Sequence, residues 1–392
     1  MTHIKTTLPY SWKQTLRDAA HDRTPVKGLT HTFYKYPARF SPTFARTAIE
    51  LFSSPGDLIL DPYMGGGTTI VEALAAGREV IGNDLNSLAT FVTRVKTTRL
   101  TSTEINAIIH WVQSVIPALS YDQNPTAFKH LLNDERTRNL TLLKGRFIKK
   151  IIATALHNLE ILPTTNSRNF VRCALLRVSQ TALDGRKRSM SADEFRTRLA
   201  DTTFHMLDSM SDFIKQWNAA GRSRKTLTTR DASQINKLSI FANQGKLAKL
   251  VVTSPPYPGV HVLYHRWQVD GRRESPAPYW ITSCNDGQAT SFYNFGSRHE
   301  PGLTTYFESS LRTLSAIRKV IQPGGIFVQL IAFTNPKNQL PRYLSNMEKA
   351  GFKEIRSSGN RIYRNVPNRR WHANSKGRTT GSREVVLVHE IL

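Results

Sequence analysis

Four consecutive residues, Ser254-Pro255-Pro256-Tyr257, could do chemistry on a flat ring that bears an amine. The two prolines fix their backbone φ angles and lack amide donors, which leaves rigid carbonyl acceptors. An amine held by the serine hydroxyl and a carbonyl can direct its lone pair at an electrophilic methyl carbon. Tyr257 offers a face on which a base turned out of a helix can stack. The quartet predicts methyl transfer to a base amine, and an ordinary proline loop with a partly buried tyrosine is the alternative.

A second candidate site is the turn over residues 61–69, with the sequence DPYMGGGTT. Gly65, Gly66 and Gly67 permit backbone angles closed to other residues and let a ligand approach the main chain. The amides of a following helix favour a carboxylate or a phosphate. Asp61, in front of the glycines, would repel a phosphate but can accept from an ammonium group. This favours S-adenosylmethionine over a dinucleotide, with a purely structural turn as the alternative.

Two more acids follow apolar runs and could complete that site. Asp84 ends the run REVIGND, where it can accept hydrogen bonds from ribose hydroxyls. Asp231 ends a further short run and could accept from an adenine amino group. A solvated loop aspartate fits the spacing of Asp231 equally well.

Hydrophobic patterning predicts the elements that position these residues. Predicted strands cover 58–63, 78–84, 249–257, 324–333 and 383–392, and predicted helices cover 44–55, 68–77, 103–116, 191–217, 305–321 and 341–352. Strand, glycine turn, helix, strand and acid over residues 58–84 form a βαβ unit of the doubly wound α/β kind.

The composition narrows the class of partner. Fifty-four Lys and Arg residues against 29 Asp and Glu residues give a net charge of +25. Such an excess attracts polyanions, of which nucleic acid is the usual one, although charge does not separate DNA from RNA. A soluble basic protein without a polyanionic partner is the alternative.

Other functional classes are disfavoured. No run of eighteen apolar residues and no apolar leader are present, so we expect neither a membrane span nor a secretory signal. Cys173 and Cys284 lack a CxxC partner, which argues against a zinc site and suits a reducing cytoplasm. Neither cysteine follows a proline, which disfavours methylation at carbon 5 of a pyrimidine.

Residues from about 86 to 220 carry helical periodicity and almost no strand signal. Basic residues are concentrated there, for example Lys144, Arg146, Lys149, Lys150, Arg186, Lys187 and Arg188. We therefore predict three parts of the chain: 1–98 with the glycine turn, 99–222 as a basic helical insertion that could recognise DNA, and 223–392 with the Ser-Pro-Pro-Tyr quartet.

Three motifs resemble those of the amino-methyltransferases of bacterial restriction–modification systems. DPYMGGGT resembles the cofactor motif of that family, usually DPFxGxGT, and HTFYKYPARFSP over 31–42 resembles a second cofactor motif around YPAKF. SPPY resembles the catalytic motif, in which SPPY is typical of cytosine-N4 enzymes and DPPY of many adenine-N6 enzymes. The resemblance covers 30–95 and 225–392.

The resemblance implies a Rossmann-like methyltransferase sheet, S-adenosylmethionine as cofactor, no metal, and methylation of cytosine N4 in a specific DNA sequence by base flipping. The implied cofactor contacts are Tyr36, Pro37, Ala38, Arg39, Phe40, Asp61, Pro62, Tyr63, Gly65, Gly67, Thr68, Asp84 and Asp231. Ser254, Pro255, Pro256 and Tyr257 would hold and stack the target base.

The implied setting is the bacterial cytoplasm, in association with the nucleoid. DNA is the implied partner, with a cognate restriction endonuclease as a further one. Either a monomer or a homodimer is compatible with the resemblance.

The chain departs from the family pattern in two places. Tyr63 replaces the usual Phe, and the helical block falls between Asp84 and Asp231, earlier than the recognition region of many relatives. The Arg-rich segment 264–300 therefore competes with the insertion for that role.

Basic and aromatic residues near the candidate site allow two interpretations. They are Tyr264, His265, Arg266, Trp267, Arg272 and Arg273, with Arg364, Arg369, Arg370 and Trp371 further on. They suit phosphate contacts and base stacking, and a structural aromatic cluster fits equally well. An adenine-N6 DNA enzyme, an RNA base amino-methyltransferase and a non-enzymatic DNA-binding module remain alternative functions.

Overall fold

The computed structural model describes residues 11–36, 41–121, 125–185, 190–258, 266–269, 273–285, 300–356, 360–365 and 383–392. The strands are β1 (Leu58–Asp61), β2 (Glu79–Asp84), β3 (Lys225–Thr229), β4 (Ala248–Thr253), β5 (Trp267–Val269), β6 (Arg273–Ser275), β7 (Ile321–Ala332), β8 (Phe352–Glu354), β9 (Ile362–Asn365) and β10 (Arg383–Ile391). The helices are α1 (Trp12–His21), α2 (Pro42–Phe52), α3 (Thr68–Ala75), α4 (Ser87–Lys96), α5 (Ser102–Ser114), α6 (Lys129–Leu132), α7 (Leu143–His157), α8 (Thr165–Leu183), α9 (Ala192–Ala219), α10 (Ser239–Ala242), α11 (Ala277–Thr282), α12 (Gly302–Arg318) and α13 (Pro336–Lys349).

A mixed sheet in the order β3-β2-β1-β4-β7-β10-β8 forms the centre of the fold, and β9 also pairs with β10. Strands β3, β2, β1, β4 and β7 are parallel, whereas β10 runs antiparallel to β7 and β8. Every residue of β1 is buried, as expected for a parallel strand covered by helices on both faces. The predicted doubly wound α/β fold is confirmed.

Several details of the sheet differ from the sequence prediction, which lacked the short strands β8 and β9. The strand predicted over 249–257 ends at Thr253, because Pro255 and Pro256 have no amide hydrogen to donate to a ladder. The short strand β3 was anticipated only as a run before Asp231, since its sequence KTLTT is polar and only half-buried.

The connection from β2 to β3 contains α4 to α9, and the predicted helical character of this region is confirmed. It is not packed as a separate body. Trp111, Phe170 and Phe213 of its helices belong to the same hydrophobic core as Phe44 of α2 and Ile70 of α3. The predicted boundaries of the insertion, 99 and 222, stay a prediction. The structure shows that this connection packs directly on the helices that cover the sheet.

The strand order reverses between β1 and β4. The chain proceeds from β1 to β2 and β3 on one side, and then returns to pair β4 with the other side of β1. In doubly wound sheets, ligands bind outside the carboxyl ends of the strands at this point. None of the helices in the described ranges is long and apolar enough to cross a membrane.

Candidate active site

The turn after β1 brings main chain and neighbouring side chains unusually close together. Gly65 and Gly67 have φ angles of +47° and +76°, in the left-handed region that favours glycine. A Cβ atom on Gly66 would lie 2.7 Å from Cβ of Tyr36, and one on Gly67 would lie 2.5 Å from Oγ1 of Thr93. The turn therefore requires glycine. The amides of Gly65 and Gly67 bond to the Asp84 carboxylate and to the Met64 carbonyl, so the amides at the start of α3 are the ones that can receive a ligand.

Asp84, at the end of β2, closes this turn. Its carboxylate accepts from the amide of Gly65 at 2.9 Å and from the amide of Asn86 at 2.8 Å. Burial raises the pKa of Asp84 to about 6, against the effect of these hydrogen bonds. Each carboxylate oxygen has a second lone pair, so Asp84 can still accept from a ligand hydroxyl.

Asp61 joins β1 to β4. Its side chain is 1% exposed, and its Oδ1 accepts from Oγ1 of Thr253 at 2.6 Å and from the amide of Tyr63 at 3.1 Å. Burial raises its pKa to about 7. The structure thus assigns Asp61 a role in fixing the two strands, and its predicted contact with an ammonium group stays a prediction.

Tyr36 and Lys96 cover the glycines. Tyr36 is buried against Gly65 and Gly66, and its hydroxyl accepts from Nδ2 of Asn86 at 3.5 Å. The buried Lys96 donates through Nζ to the carbonyl of Gly66 at 2.6 Å. Pro37, Ala38, Arg39 and Phe40 lie outside the described residues.

The remaining predicted cofactor residues surround the same turn. Pro62 accepts through its carbonyl from the buried Asn83, which also donates to the carbonyl of Arg230 and so ties the ends of β1, β2 and β3. Thr68 is buried at the start of α3. Asp231 is exposed and accepts from the amide of Ser233 at 2.8 Å, at the start of a short 3-10 helix.

The Ser-Pro-Pro-Tyr quartet lies at the carboxyl end of β4, beside β7. Oγ of Ser254 donates to the carbonyl of Leu330 at 2.9 Å and lies 3.2 Å from the hydroxyl of Tyr257. The hydroxyl of Tyr306 donates to the carbonyl of Pro256 at 3.0 Å. Since Thr253 bonds to Asp61, the quartet and the glycine turn are neighbours across one strand pair.

Two of the residues that allowed either DNA contact or a structural role are packed inside the protein. Trp267 is buried, and its indole nitrogen donates to the hydroxyl of Tyr34 at 3.2 Å. Arg364 pairs with the buried Glu384 on the adjacent strand. The structural interpretation is therefore correct for both. Tyr264, His265, Arg272, Arg369, Arg370 and Trp371 lie outside the described residues.

Several residues that shape the site were not predicted. Asn86 begins α4 as its cap, and its Oδ1 also accepts from the hydroxyl of the buried Tyr279 at 2.9 Å. An asparagine two residues after a strand-ending acid is a recognisable helix start, so Asn86 could have been found. Lys96, Tyr279 and Glu384 carry no local signal, because each reaches the site from a distant part of the chain.

The arrangement suits a ligand with amino-acid and ribose groups. The amides at the start of α3 can receive a carboxylate, while Asp61 and Asp84 stand beside them. Two carboxyl groups at one turn disfavour a diphosphate and suit hydroxyl or ammonium donors. The described residues thus fit the predicted S-adenosylmethionine, with Asp84 as the acceptor nearest the open turn.

Comparison with known proteins gives matches of limited extent. Residues 6–90 match a family model described as DNA methylase. The chain is 28% identical over 254 residues to the Type II methyltransferase M.MvaI of Kocuria varians, which covers 60% of this chain and 54% of that protein. It is 36% identical over 62 residues to the DNA adenine methyltransferase YhdJ of Escherichia coli (strain K12), which covers 16% of this chain and 21% of that protein.

Among solved structures, the rRNA methyltransferase aviRa of Streptomyces viridochromogenes shares 10% identity with a TM-score of 0.37, over 94% of both chains. The chain spans only about half the length of M.MvaI. The sequence matches confirm the resemblance to DNA amino-methyltransferases that the motifs indicated.

Gly67→Ala tests whether the turn requires a residue without a Cβ atom at this position. We expect the free energy of unfolding to fall by about 2–3 kcal/mol, because the new Cβ would clash with Thr93 at a positive φ. Gly56→Ala is the matched control, since Gly56 has a φ of +87° but no atom within 4 Å of an added Cβ, and it should cost about 1 kcal/mol. Denaturant unfolding measures both, and equal losses would contradict the close packing.

Asp61→Asn tests the buried carboxyl group through pH. Because the pKa of Asp61 is raised to about 7, the folded protein keeps a proton that the unfolded chain releases near pH 4. Raising the pH from about 4 to about 7 therefore lowers the free energy of unfolding, by at most about 1.4 kcal/mol per pH unit from this group.

We expect the stability of the wild type relative to Asp61→Asn to fall across that window and to level off above it. His389, whose pKa burial lowers to about 4, changes stability in the opposite direction, but it is present in both proteins and cancels in the difference. Denaturant unfolding at several pH values measures the difference, and a constant value would show that Asp61 is ionised throughout.

Proposed function

We propose that this protein is an S-adenosylmethionine-dependent DNA methyltransferase that methylates an exocyclic amine, with cytosine N4 as the favoured target. The observation that carries the proposal is the hydrogen bond from Thr253 to Asp61. It sets the Ser-Pro-Pro-Tyr quartet directly beside the glycine turn, so that a cofactor bound at the turn and an amine bound at the quartet would share one edge of the sheet. The match of residues 6–90 to the DNA methylase model supports the same function.

The cofactor would be held by the glycine turn, Asp84 and Tyr36, with Asp231 at the far end of the pocket. When bound, S-adenosylmethionine supplies a methyl group that passes from its sulfonium sulfur to a nucleophilic nitrogen. Two hydrogen bonds keep the turn in place: Asp61 accepts from Thr253, and Lys96 donates to the Gly66 carbonyl.

The quartet would receive a base flipped out of the duplex. Ser254 donates its own proton to Leu330, so the lone pairs of its oxygen can accept one N–H of the target amine. The carbonyl of Pro255 is held in a fixed direction by the ring and can accept the other N–H. Tyr257 stacks on the base, and the amine's surplus proton leaves to solvent after the new bond forms.

Adenine N6 is the main alternative to cytosine N4 as the target. Ser254 in place of the aspartate of many relatives favours cytosine N4. The 62-residue similarity to a DNA adenine methyltransferase favours adenine N6. An RNA base is the third candidate. A restriction endonuclease partner, the oligomeric state and association with the nucleoid stay predictions from the resemblance.

Incubation with cofactor and DNA, followed by digestion and mass analysis of the nucleosides, tests the function. We expect N4-methylcytosine; N6-methyladenine would correct the base, and product on RNA but not on DNA would contradict the proposal.

Ser254→Ala should lower kcat about 100-fold or more while the Kd for cofactor stays unchanged. Ser114→Ala, on an exposed helix position, is the control. Loss of cofactor binding in Ser254→Ala would mean that the cofactor site and the base site are not separate.

A surface on α7 is our candidate for DNA recognition, and we name it the α7 patch: Leu143, Arg146, Phe147 and Lys150. Leu143 and Phe147 are 70% and 47% exposed, and Arg146 is exposed between them. The sequence of α7, LKGRFIKKIIATALH, contains neither Asp nor Glu. The patch is therefore complementary to phosphates, and its apolar side chains suit contact with base edges or sugars.

Hydrogen bonds connect the segment just before α7 to the residues around the glycine turn. Arg136, paired with Asp134 just before α7, donates to the carbonyls of Tyr279 and Cys284 at 3.4 and 3.1 Å. Tyr279 in turn donates to Asn86, next to Asp84. This series of hydrogen bonds supports the helical insertion, rather than the segment 264–300 alone, as a part of the recognition region.

Arg146→Glu combined with Lys150→Glu tests the α7 patch. We expect weaker DNA binding and a shallower dependence of log K on log salt, by about 0.9 for each phosphate that the protein no longer neutralises. Lys319→Glu combined with Lys349→Glu is the matched control, because it reverses the same number of charges at two exposed positions, the ends of α12 and α13. Fluorescence anisotropy with a labelled duplex measures both, and equal effects of the two variants would show only a general effect of net charge.

A further inference from the structure

The hydroxyl of Ser254 can act as a hydrogen-bond donor or as an acceptor, and the proposed reaction requires it to accept. A serine hydroxyl can donate one hydrogen bond and accept two. An amine about to be methylated presents N–H groups and needs acceptors. If a neighbouring hydroxyl donated to Ser254, it would occupy a lone pair that the amine requires. The neighbours of Ser254 therefore decide whether it serves the reaction.

Among the residues that the structure describes, two lie within hydrogen-bond distance of the Ser254 oxygen. The carbonyl of Leu330, at 2.9 Å, can only accept. The hydroxyl of Tyr257, at 3.2 Å, could in principle donate or accept. The outcome depends on where the Tyr257 proton goes.

Glu384 receives that proton. The hydroxyl of Tyr257 donates to Oε1 of Glu384 at 2.7 Å, a shorter contact than its 3.5 Å approach to the Leu330 carbonyl. Glu384 lies on β10, is 1% exposed, and is 127 residues from Tyr257 in the sequence. A buried carboxylate facing a hydroxyl is a strong acceptor.

Arg364 keeps Glu384 in its accepting form. Nε of Arg364 contacts the other carboxylate oxygen, Oε2, and the two residues are direct partners in the β9–β10 ladder. Because the guanidinium donates to one oxygen and stabilises the negative charge, the other oxygen can only accept from Tyr257.

We propose that Glu384 is a positioning residue that makes Ser254 an acceptor for the target amine, by holding the Tyr257 proton away from it. This inference rests on the proposed function. With the Tyr257 proton on the Glu384 side, Ser254 can donate to Leu330 or Tyr257, and its lone pairs face the amine.

A purely structural ion pair is the competing explanation, and the chain contains one for comparison. Glu354 on β8, a strand that pairs with β10, forms ion pairs with Arg356 after β8 and with Arg361 just before β9. The hydrogen bonds of Glu354 are to those arginines, and Tyr257 is bonded to Glu384 instead. Glu354→Gln therefore removes a comparable carboxylate without touching the Tyr257 proton.

Glu384→Gln is the decisive variant. Arg364 will take the amide oxygen of the new side chain, which turns the amide nitrogen towards Tyr257 as a donor. The tyrosine proton must then point towards Ser254 or Leu330. We expect kcat for DNA methylation to fall by about tenfold or more, with the Kd for cofactor unchanged. Glu354→Gln should leave kcat within about twofold, since the hydrogen bonds that it alters are those to Arg356 and Arg361.

Tyr257→Phe separates the hydrogen-bond series from simple packing. Without the hydroxyl, Ser254 still donates to Leu330, so kcat should fall by less than about tenfold. In the double variant, Glu384→Gln should add no further loss, because the residue acts only through the missing hydroxyl. Steady-state kinetics on DNA, cofactor binding and thermal unfolding are measured for the wild type and all four variants.

The outcomes separate the two proposals. A wild-type protein that methylates no DNA base overturns the proposed function itself. An active wild type with an equally active Glu384→Gln variant overturns only the role of Glu384, as does the same Glu384→Gln loss in the Tyr257→Phe background. If Glu384→Gln does not fold, Tyr257→Phe still decides, since loss of all turnover there would show that the hydroxyl acts directly.

Discussion

The hydrogen bond between Thr253 and Asp61 joins the two strands at which the order of the sheet reverses. β1 leads into the glycine turn and β4 into the Ser-Pro-Pro-Tyr quartet, so this contact fixes the distance between them. A buried carboxyl group without partners would be costly, which ties the ends of both strands to one geometry. The remaining contacts extend outwards from it, with Asp84 closing the glycine turn on one side and Leu330 receiving Ser254 on the other.

Much of this edge could be predicted from the sequence, because its signals are local. Asp61 and Asp84 each end an apolar run, and the carboxyl ends of parallel strands meet at one edge of a sheet. Glycines between a strand and a helix, and prolines that end a strand, report backbone geometry directly. For these residues, the backbone geometry that the site requires restricts the residue type, so the sequence pattern reveals it.

Other parts of the site depend on register and packing, which local patterns do not report. Glu384 reaches Tyr257 only because β10 is inserted antiparallel beside β7. Trp267 lies among basic residues, as a base-stacking residue would, yet it is packed on Tyr34. Lys96 is one of 54 basic residues and is buried at the Gly66 carbonyl. Residue type alone could not separate these roles from surface contacts with DNA.

The helices between β2 and β3 share their hydrophobic core with α2 and α3. This has an evolutionary consequence, since a region with its own core can be exchanged between relatives as a module, whereas this one cannot. Replacing it would uncover Ile70 and Phe44 on the sheet helices and would remove Phe170, against whose ring Phe33 packs. The outer surface of the helices is free to diverge, but the connection as a whole must be inherited together with the sheet that it covers.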